Sequence, residues 1–198
     1  MINFNIKDKK NYQYCGNINL PWDKVEKDLE LYKEEQSMNW SIIENSVQHT
    51  YNDDSKKVQD EYKKYGYTKH NTKSWKTTNF EPKITLSWEK LILEELPLDN
   101  GIVALHRQDP GQVLPWHFDR FYMLKRLYPN DKRPIYRFLM FMEDWKIGHI
   151  LEVENTILPT WKKGDVIVWH PGTLHLSANV GLEKKWTCNI TGFLKDSE

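Results

Sequence analysis

The stretch GDVIVWHPGTLHLSAN, residues 164–179, contains a turn, a strand, a second turn and a second strand. Gly164 and Asp165 open it, and Pro171 and Gly172 interrupt it. The segments between these turn residues are short and rich in β-branched and aromatic side chains, which is the pattern of strands joined by tight turns. The stretch therefore predicts part of an antiparallel β-structure.

The same pattern extends outward over residues 101–194. Further strand-like runs are GIVALHRQ and QVLPWHFD, which flank a DPG turn, and then IYRFLMFMED, IGHILEVENT and KKWTCNITGF. A short helical piece, FYMLKRLY, interrupts them. About eight short strands fit into this half of the chain, and such a series predicts a sandwich or a jelly roll.

The first hundred residues have a different character, because they are dense in Lys, Glu, Asp and Asn. Their patterns predict a helix opening at Pro21, a second helix over residues 51–65, a third over residues 87–96, and an edge strand over residues 74–78. The predicted layout is a mainly β fold with N-terminal helices. We treat residues 1–198 as one domain, with a helical or extended flank (1–100) and a β core (101–194).

Composition excludes several classes of function. Lys and Arg total 28, as do Asp and Glu, so the formal net charge is zero. This balance argues against general nucleic-acid binding and against binding to anionic membranes. No apolar run approaches the roughly 18 residues of a membrane span. Cys15 and Cys188 lie far apart, and no secretory signal is visible, so we expect a reduced, cytoplasmic protein. The sequence does not indicate an oligomeric state.

A candidate metal site begins with the pair His117 and Asp119. Residues two apart on a strand point to the same face, so an imidazole nitrogen and a carboxylate oxygen can reach one ion. A second histidine would complete a set of two His and one carboxylate, which leaves open positions and suits Fe(II) in O₂-using enzymes. Judged from the residues alone, either His170 or His175 could be that ligand.

From Leu114 to Gly192, the chain resembles the 2-oxoglutarate- and Fe(II)-dependent oxygenases. The resemblance is to the aspartyl/asparaginyl β-hydroxylase-like and prolyl-hydroxylase-like branches. It rests on the HxD pair, the Gly164-Asp165 turn and the run HLSANVGLEKKWTCNITG, in which a distal His is followed by Asn, Gly and a basic strand. The resemblance implies a double-stranded β-helix, which is a cupin-like jelly roll.

The resemblance also implies the ligands. Fe(II) would be held by His117, Asp119 and His175. The distal carboxylate of 2-oxoglutarate would pair with a basic residue in the last core strand, where most members have Arg and this chain has Lys184 and Lys185. The family's usual spacing allows both, and the aspartyl-hydroxylase-like pattern favours Lys185.

Three further residues have candidate roles. Thr187 shares a strand face with Lys185 and could donate to the same carboxylate. Arg137 corresponds to a basic position that reaches the co-substrate, although a surface role on the sheet is equally compatible with the sequence. For Arg107 we favour a structural role over substrate binding, and we expect His106 and His149 to be ordinary strand residues.

The implied activity is hydroxylation of a C–H bond with O₂, in which 2-oxoglutarate is converted to succinate and CO₂. The substrate would be an amino acid, a peptide or protein, or a small metabolite, and no catalytic residue beyond the metal ligands is implied. The alternatives are a cupin-like metal-binding jelly roll without 2-oxoglutarate chemistry and a non-catalytic binding domain. We also expect a lid at residues 128–134. An aromatic shield around the metal could be formed by Trp116, Phe118, Phe138 and Trp169, although core packing explains these residues equally well.

Overall fold

A computed structural model describes residues 2–8, 10–31, 38–41, 63–67, 73–78 and 86–195. Its helices are α1 (Trp22–Leu31), α2 (Glu89–Glu95) and α3 (Tyr122–Leu127). Its strands are β1 (Gln13–Asn17), β2 (Met38–Ser41), β3 (Lys73–Thr78), β4 (Leu98–Gln108), β5 (Gln112–His117), β6 (Ile135–Phe141), β7 (His149–Val153), β8 (Thr156–Ile157), β9 (Asp165–Val168), β10 (His175–Asn179) and β11 (Lys185–Leu194).

The strands form two antiparallel sheets. The larger sheet has the order β1-β9-β6-β11-β4-β3-β2, and the smaller sheet has the order β5-β10-β7-β8. Eight strands, β4 to β11, lie in the second half of the chain, as the turn spacing predicts. The fold is therefore the mainly β, jelly-roll arrangement expected from the sequence.

Alternation along the strands divides the larger sheet into two faces. On one face, Cys188 and Ile190 of β11 pack in a core with Val25 of α1 and Ile92 of α2. The helices therefore cover the outer face of the larger sheet.

The other face of the larger sheet turns toward the smaller sheet. There, Leu139 and Phe141 of β6 pack with Leu151 and Val153 of β7. Because successive residues on a strand point to opposite faces, every second residue of β11, starting at Lys185, points into this space between the sheets. We call this space the barrel interior.

The predictions for the first half are confirmed in part. α1 begins directly after Pro21, and α2 ends before Pro97, as predicted. The prediction that residues 74–78 form an edge strand is wrong in one respect, because β2 pairs with the outer side of β3 and takes the edge position. The helix predicted over residues 51–65 lies mostly outside the described residues.

The helices in the described ranges are short relative to a bilayer. None of them is long and apolar enough to cross a membrane.

Candidate metal centre

Two histidines and one aspartate meet at the open end of the smaller sheet. His117 ends β5 and His175 begins β10, and the two residues are direct partners in the ladder between these strands. Their ring centroids are 4.2 Å apart. Asp119 follows β5, and its Oδ2 lies 3.8 Å from Nε2 of His175. One ligand atom from each of the three residues lies within 4.8 Å of the other two, so the group could hold a metal ion.

The backbone fixes the orientation of both rings. Nδ1 of His117 is 2.7 Å from the carbonyl oxygen of Pro115, and Nδ1 of His175 is 3.0 Å from that of Thr173. A carbonyl oxygen can only accept, so each Nδ1 carries the proton and donates it. The lone pair of each Nε2 is then available to an ion, which is the arrangement that metal-binding histidines normally have.

A bulge in β5 supplies one of these carbonyl groups. His175 pairs with His117, but Ser177 pairs with Leu114, so the ladder shifts register between the two. The extra residue places Pro115 at the irregularity, where a residue without a backbone N–H is tolerated. The bulge thus leaves the Pro115 carbonyl oxygen available for the His117 ring.

Burial keeps the two imidazoles neutral. The pKa of His175 is lowered to about 4, mainly by desolvation. The neighbouring His117 ring also lowers this pKa, and its effect is larger than the opposing effect of the Asp119 carboxylate. Desolvation also lowers the pKa of His117, against the opposing effect of Asp119. Two neutral nitrogen donors and one carboxylate form a donor set that fits Fe(II) and leaves open positions.

Arg137 holds the aspartate. It extends from β6, where its backbone pairs with Thr191 of β11, and its Nε donates to Oγ1 of Thr191 over 2.9 Å. Its Nη1 donates to Oδ1 of Asp119. Asp119 therefore contacts Arg137 through one oxygen and faces His175 with the other, which orients the carboxylate toward the space between the histidines.

Lys185 lies in the barrel interior on the other side of the histidines. Its side chain is 2% exposed, and its Nζ donates to Oγ of Ser177 over 2.7 Å and to the carbonyl oxygen of Ile150. Nζ also lies 5.6 Å from the centroid of the Trp161 ring. In the described part of the chain, no ion pair joins this ammonium group to a carboxylate. Burial lowers its pKa to about 7, although the Glu143 carboxylate opposes this effect.

The other residues singled out from the sequence occupy different places. Lys184 is exposed and precedes β11, whereas Thr187 lies on the interior face with Lys185. Arg107 binds Asp109 through Nε at 2.9 Å and lies over the Trp186 ring, on the helix-covered face. Its position agrees with a structural role.

Three further histidines among the described residues also lie outside the triad. His170 is exposed in the turn before β10, edge-on to the Tyr136 ring. His106 contacts Asn189 through Nε2, and the buried His149 stacks on Trp161.

The expected aromatic shield is confirmed for one residue. The Trp169 ring centroid lies 4.6 Å from that of His175. Phe138 instead packs on the helix-covered face, next to Phe4. Trp116 and Phe118 are 37% and 41% exposed, because they alternate with the metal-facing residues and point outward. The shield role is therefore wrong for these three residues, and the alternative of core packing holds for Phe138.

The loop expected to form a lid is tied to the body of the protein. Arg133 donates to Asp131 within the loop and, through Nη1 at 2.6 Å, to Asp99 on β4. These contacts anchor one end of the segment 128–134.

Sequence reasoning missed a polar network behind Lys185. Ser177 donates to Oε1 of Gln108 over 2.6 Å, and Asn179 donates to the Gln108 carbonyl oxygen over 2.9 Å. Spacing alone could have found Ser177, because it lies two residues after His175 on the same strand face.

Comparison with known proteins shows the fold. No protein-family model matches the chain, and no curated protein matches it. Among solved structures, a prolyl-4-hydroxylase from Pseudomonas putida matches 96% of this chain and 95% of its own, with 13% identity and a TM-score of 0.55.

Two further matches are shorter. A Cupin 2 conserved barrel domain protein from Salinispora arenicola matches 48% of this chain and 64% of its own, with 15% identity and a TM-score of 0.33. An uncharacterized double-stranded beta-helix protein from Klebsiella pneumoniae matches 52% and 70%, with 17% identity and a TM-score of 0.33. The prolyl-4-hydroxylase match over nearly the whole of both chains, together with the two antiparallel sheets, shows the jelly-roll fold of a double-stranded β-helix. Within it lies a group of residues that could hold a metal ion.

Proposed function

We propose that the protein is an Fe(II)- and 2-oxoglutarate-dependent oxygenase that hydroxylates a C–H bond of an amino acid, a peptide or protein, or a small metabolite. One observation supports this activity over simple metal binding. A buried lysine, with no carboxylate paired to it in the described residues, lies in the same interior as a His–Asp–His group.

Burial of Lys185 is costly unless an anion offsets it. An ammonium group removed from water loses several kcal/mol of hydration, and neutral oxygen partners restore only part of this. Carbonyl and hydroxyl oxygens surround Nζ, and the hydroxyl proton of Ser177 is already donated to Oε1 of Gln108. A carboxylate from a bound molecule would complete this site.

The distance from Lys185 to the histidines suits a short dicarboxylate. Lys185 contacts Ser177, which lies two residues from His175, or about 6.7 Å along the strand. The carboxyl carbons of 2-oxoglutarate are separated by four bonds of about 1.5 Å, so an extended molecule spans about 5 Å. One end could therefore reach the metal while the other reaches Lys185.

The proposed roles follow from these positions. His117, Asp119 and His175 would hold Fe(II), which together with 2-oxoglutarate and O₂ supplies the oxidising chemistry. Lys185, rather than the exposed Lys184, would bind the distal carboxylate, and Thr187 would donate to it from the same face. Arg137 orients Asp119 through Oδ1.

The proposal has one further support. The Pseudomonas putida prolyl-4-hydroxylase has the same fold over nearly the whole of both chains. This neighbour is a hydroxylase, so the fold is compatible with hydroxylation.

An anaerobic titration tests the proposal. We expect Fe(II) and 2-oxoglutarate, added without oxygen, to give the visible charge-transfer absorbance of a metal chelate. Admission of air should then yield succinate. Absence of both signals in protein that binds Fe(II) would favour the cupin-like alternative, and absence of metal binding would favour a non-catalytic domain.

Two histidine variants provide a matched comparison. His175→Ala should abolish Fe(II) binding and the absorbance, because it removes one of three ligands. His170→Ala should leave both unchanged, since this side chain is exposed and lies outside the triad. The reverse result would overturn the ligand assignment.

A further inference from the structure

We propose that Arg137 binds a carboxylate of the primary substrate, so that the enzyme acts on carboxylic acids. This inference rests on the proposed function, because it names the substrate class of the same site. It follows from the donors that Arg137 leaves available, from its place relative to Lys185, and from the charge of the segment around it.

One nitrogen of the Arg137 guanidinium faces no acceptor among the described residues. Its Nε donates to Thr191 and its Nη1 to Asp119, whereas Nη2 has no hydrogen-bond partner in the described part of the chain. The side chain is 24% exposed, so a ligand can approach it. The N–H groups of Nη2 can donate to a carboxylate in a charge-assisted hydrogen bond.

The location of Arg137 separates it from Lys185. Thr191, which holds Arg137, lies six residues after Lys185 on β11, or about 20 Å along the strand. The metal-binding group lies between the two cations, with Ser177 beside His175 on one side and Asp119 beside Arg137 on the other. A dicarboxylate held by Lys185 would lie on the Ser177 side of the metal-binding group, whereas Arg137 contacts this group from the Asp119 side, where its Nη2 can meet a second anion.

The local charge favours an anionic ligand as well. Between Arg120 and Arg137 the chain has six basic residues and one acidic residue, although the whole protein is neutral. Asp131 and Asp99 neutralise Arg133, and Lys125 lies exposed on α3. This segment begins directly after Asp119, so its positive potential surrounds the approach to the metal and would attract anions.

Phe121 fixes the position of the guanidinium. Its backbone is left-handed, with φ of 54° and ψ of 32°, and its ring lies 5.5 Å from the Arg137 guanidinium carbon. The ring and Thr191 thus hold the cation beside Asp119. A carboxylate bound to Arg137 would lie next to the metal ligand, which brings the carbons near that carboxylate to the reactive centre.

The experiment uses protein loaded with Mn(II) and 2-oxoglutarate, because Mn(II) occupies the site without turnover. Calorimetry measures the binding of N-acetylated amino acids as free acids and as primary amides. A second arm uses N-acetylated, C-amidated peptides with one Asp or Glu, against their Asn or Gln counterparts. The first arm tests whether the protein binds the α-carboxylate of a free acid. The second arm tests whether it binds a carboxylate on a side chain.

We expect at least one acid to bind about tenfold or more tightly than its amide. At Mn(II) and 2-oxoglutarate concentrations that saturate each variant, Arg137→Gln should abolish this preference and Arg137→Lys should retain part of it. Lys162→Gln removes the same charge from a side chain that is 78% exposed and should keep the full preference.

Three results would overturn the inference and leave the oxygenase proposal intact. In the first, every acid binds as tightly as its amide. In the second, a phosphoserine peptide binds more tightly than any carboxylate. In the third, both Arg137 variants lose Mn(II) or 2-oxoglutarate binding. The last result would assign Arg137 to the metal and co-substrate alone. Failure of 2-oxoglutarate to bind the wild-type Mn(II) protein would instead contradict the proposed function.

Discussion

The two faces of β11 use opposite chemistry within one strand. Cys188 and Ile190 turn toward the helices and are fully buried among apolar side chains. Lys185, Asn189 and Thr191 turn into the barrel interior and contact polar groups. The contrast shows how a ten-residue strand can stabilise the fold on one side and build a binding site on the other. Substitutions on the two faces should therefore have separable effects.

The largest effect on stability is expected on the helix-covered face. Ile190→Ala should lower the free energy of unfolding by about 2–5 kcal/mol, because it leaves a cavity in the core. Affinity for Fe(II) and 2-oxoglutarate should stay unchanged. Denaturant unfolding measures the first quantity, and the charge-transfer titration measures the second.

Ile147→Ala is the matched control for this substitution. Ile147 is 84% exposed, so the same chemical change should alter stability by less than about 0.5 kcal/mol. A loss of co-substrate affinity in Ile190→Ala comparable to its loss of stability would contradict the separation of the two faces.

On the interior face, Lys185→Met should act in the opposite way. We expect the affinity for 2-oxoglutarate to fall by about a hundredfold, or ~2.7 kcal/mol, because the distal carboxylate loses its cation. The free energy of unfolding at pH 7 should rise, since an apolar side chain replaces a buried charge. Titration of the Mn(II) protein and denaturant unfolding report the two changes.

Lys184→Met tests the neighbouring position. This side chain is exposed, so both affinity and stability should remain close to those of the wild type. If Lys184→Met weakened 2-oxoglutarate binding while Lys185→Met did not, the two lysines would have to exchange roles.

Lys185 should also give a gradual pH dependence, with opposite signs for stability and for binding. Burial lowers the pKa of Lys185 from 10.5 to about 7, so between these values the unfolded chain holds a proton that the free folded protein releases. Below pH 7 the folded protein buries a charged ammonium group, which destabilises it. As pH rises above 7 the folded protein releases this proton, so the free energy of unfolding should increase.

Binding of the dianion should change in the other direction over the same range. The complex needs the ammonium form, so affinity for 2-oxoglutarate should fall by up to about tenfold per pH unit above 7. Lys185→Arg keeps its charge at all these pH values and should give a flat profile between pH 7 and 9. A sloping profile in that variant would show that another group controls binding.

The sequence predicts the strands well because their turns are local. Gly, Pro and Asp mark the ends of short β-branched runs, and the eight strands of the second half follow from these signals. The edge position of β3 was predicted wrongly, because β2 comes from a distant segment that carries no comparable turn signal. Long-range pairing of this kind is not encoded in nearby residues.

The alternation of side chains along a strand could have corrected the prediction of an aromatic shield. Arg137 and Phe138 are adjacent in β6, so both cannot face the metal, and the same holds for Trp116 and His117. Alternation alone therefore excludes a shield that includes Phe138 and Trp116. The choice between His170 and His175 needed the family resemblance, since spacing alone left both open. The bulge at Pro115 has no signal beyond the proline itself.

The carbonyl oxygens that orient the two histidine rings belong to the main chain. Replacing Pro115 or Thr173 by another residue leaves a carbonyl group at that position, so a scan of single substitutions would record little about this support. Deleting a residue of the bulge would remove the support at once. The histidine geometry is therefore robust to point mutation and sensitive to changes in chain length, which makes the spacing before each histidine the feature that a redesigned protein must copy.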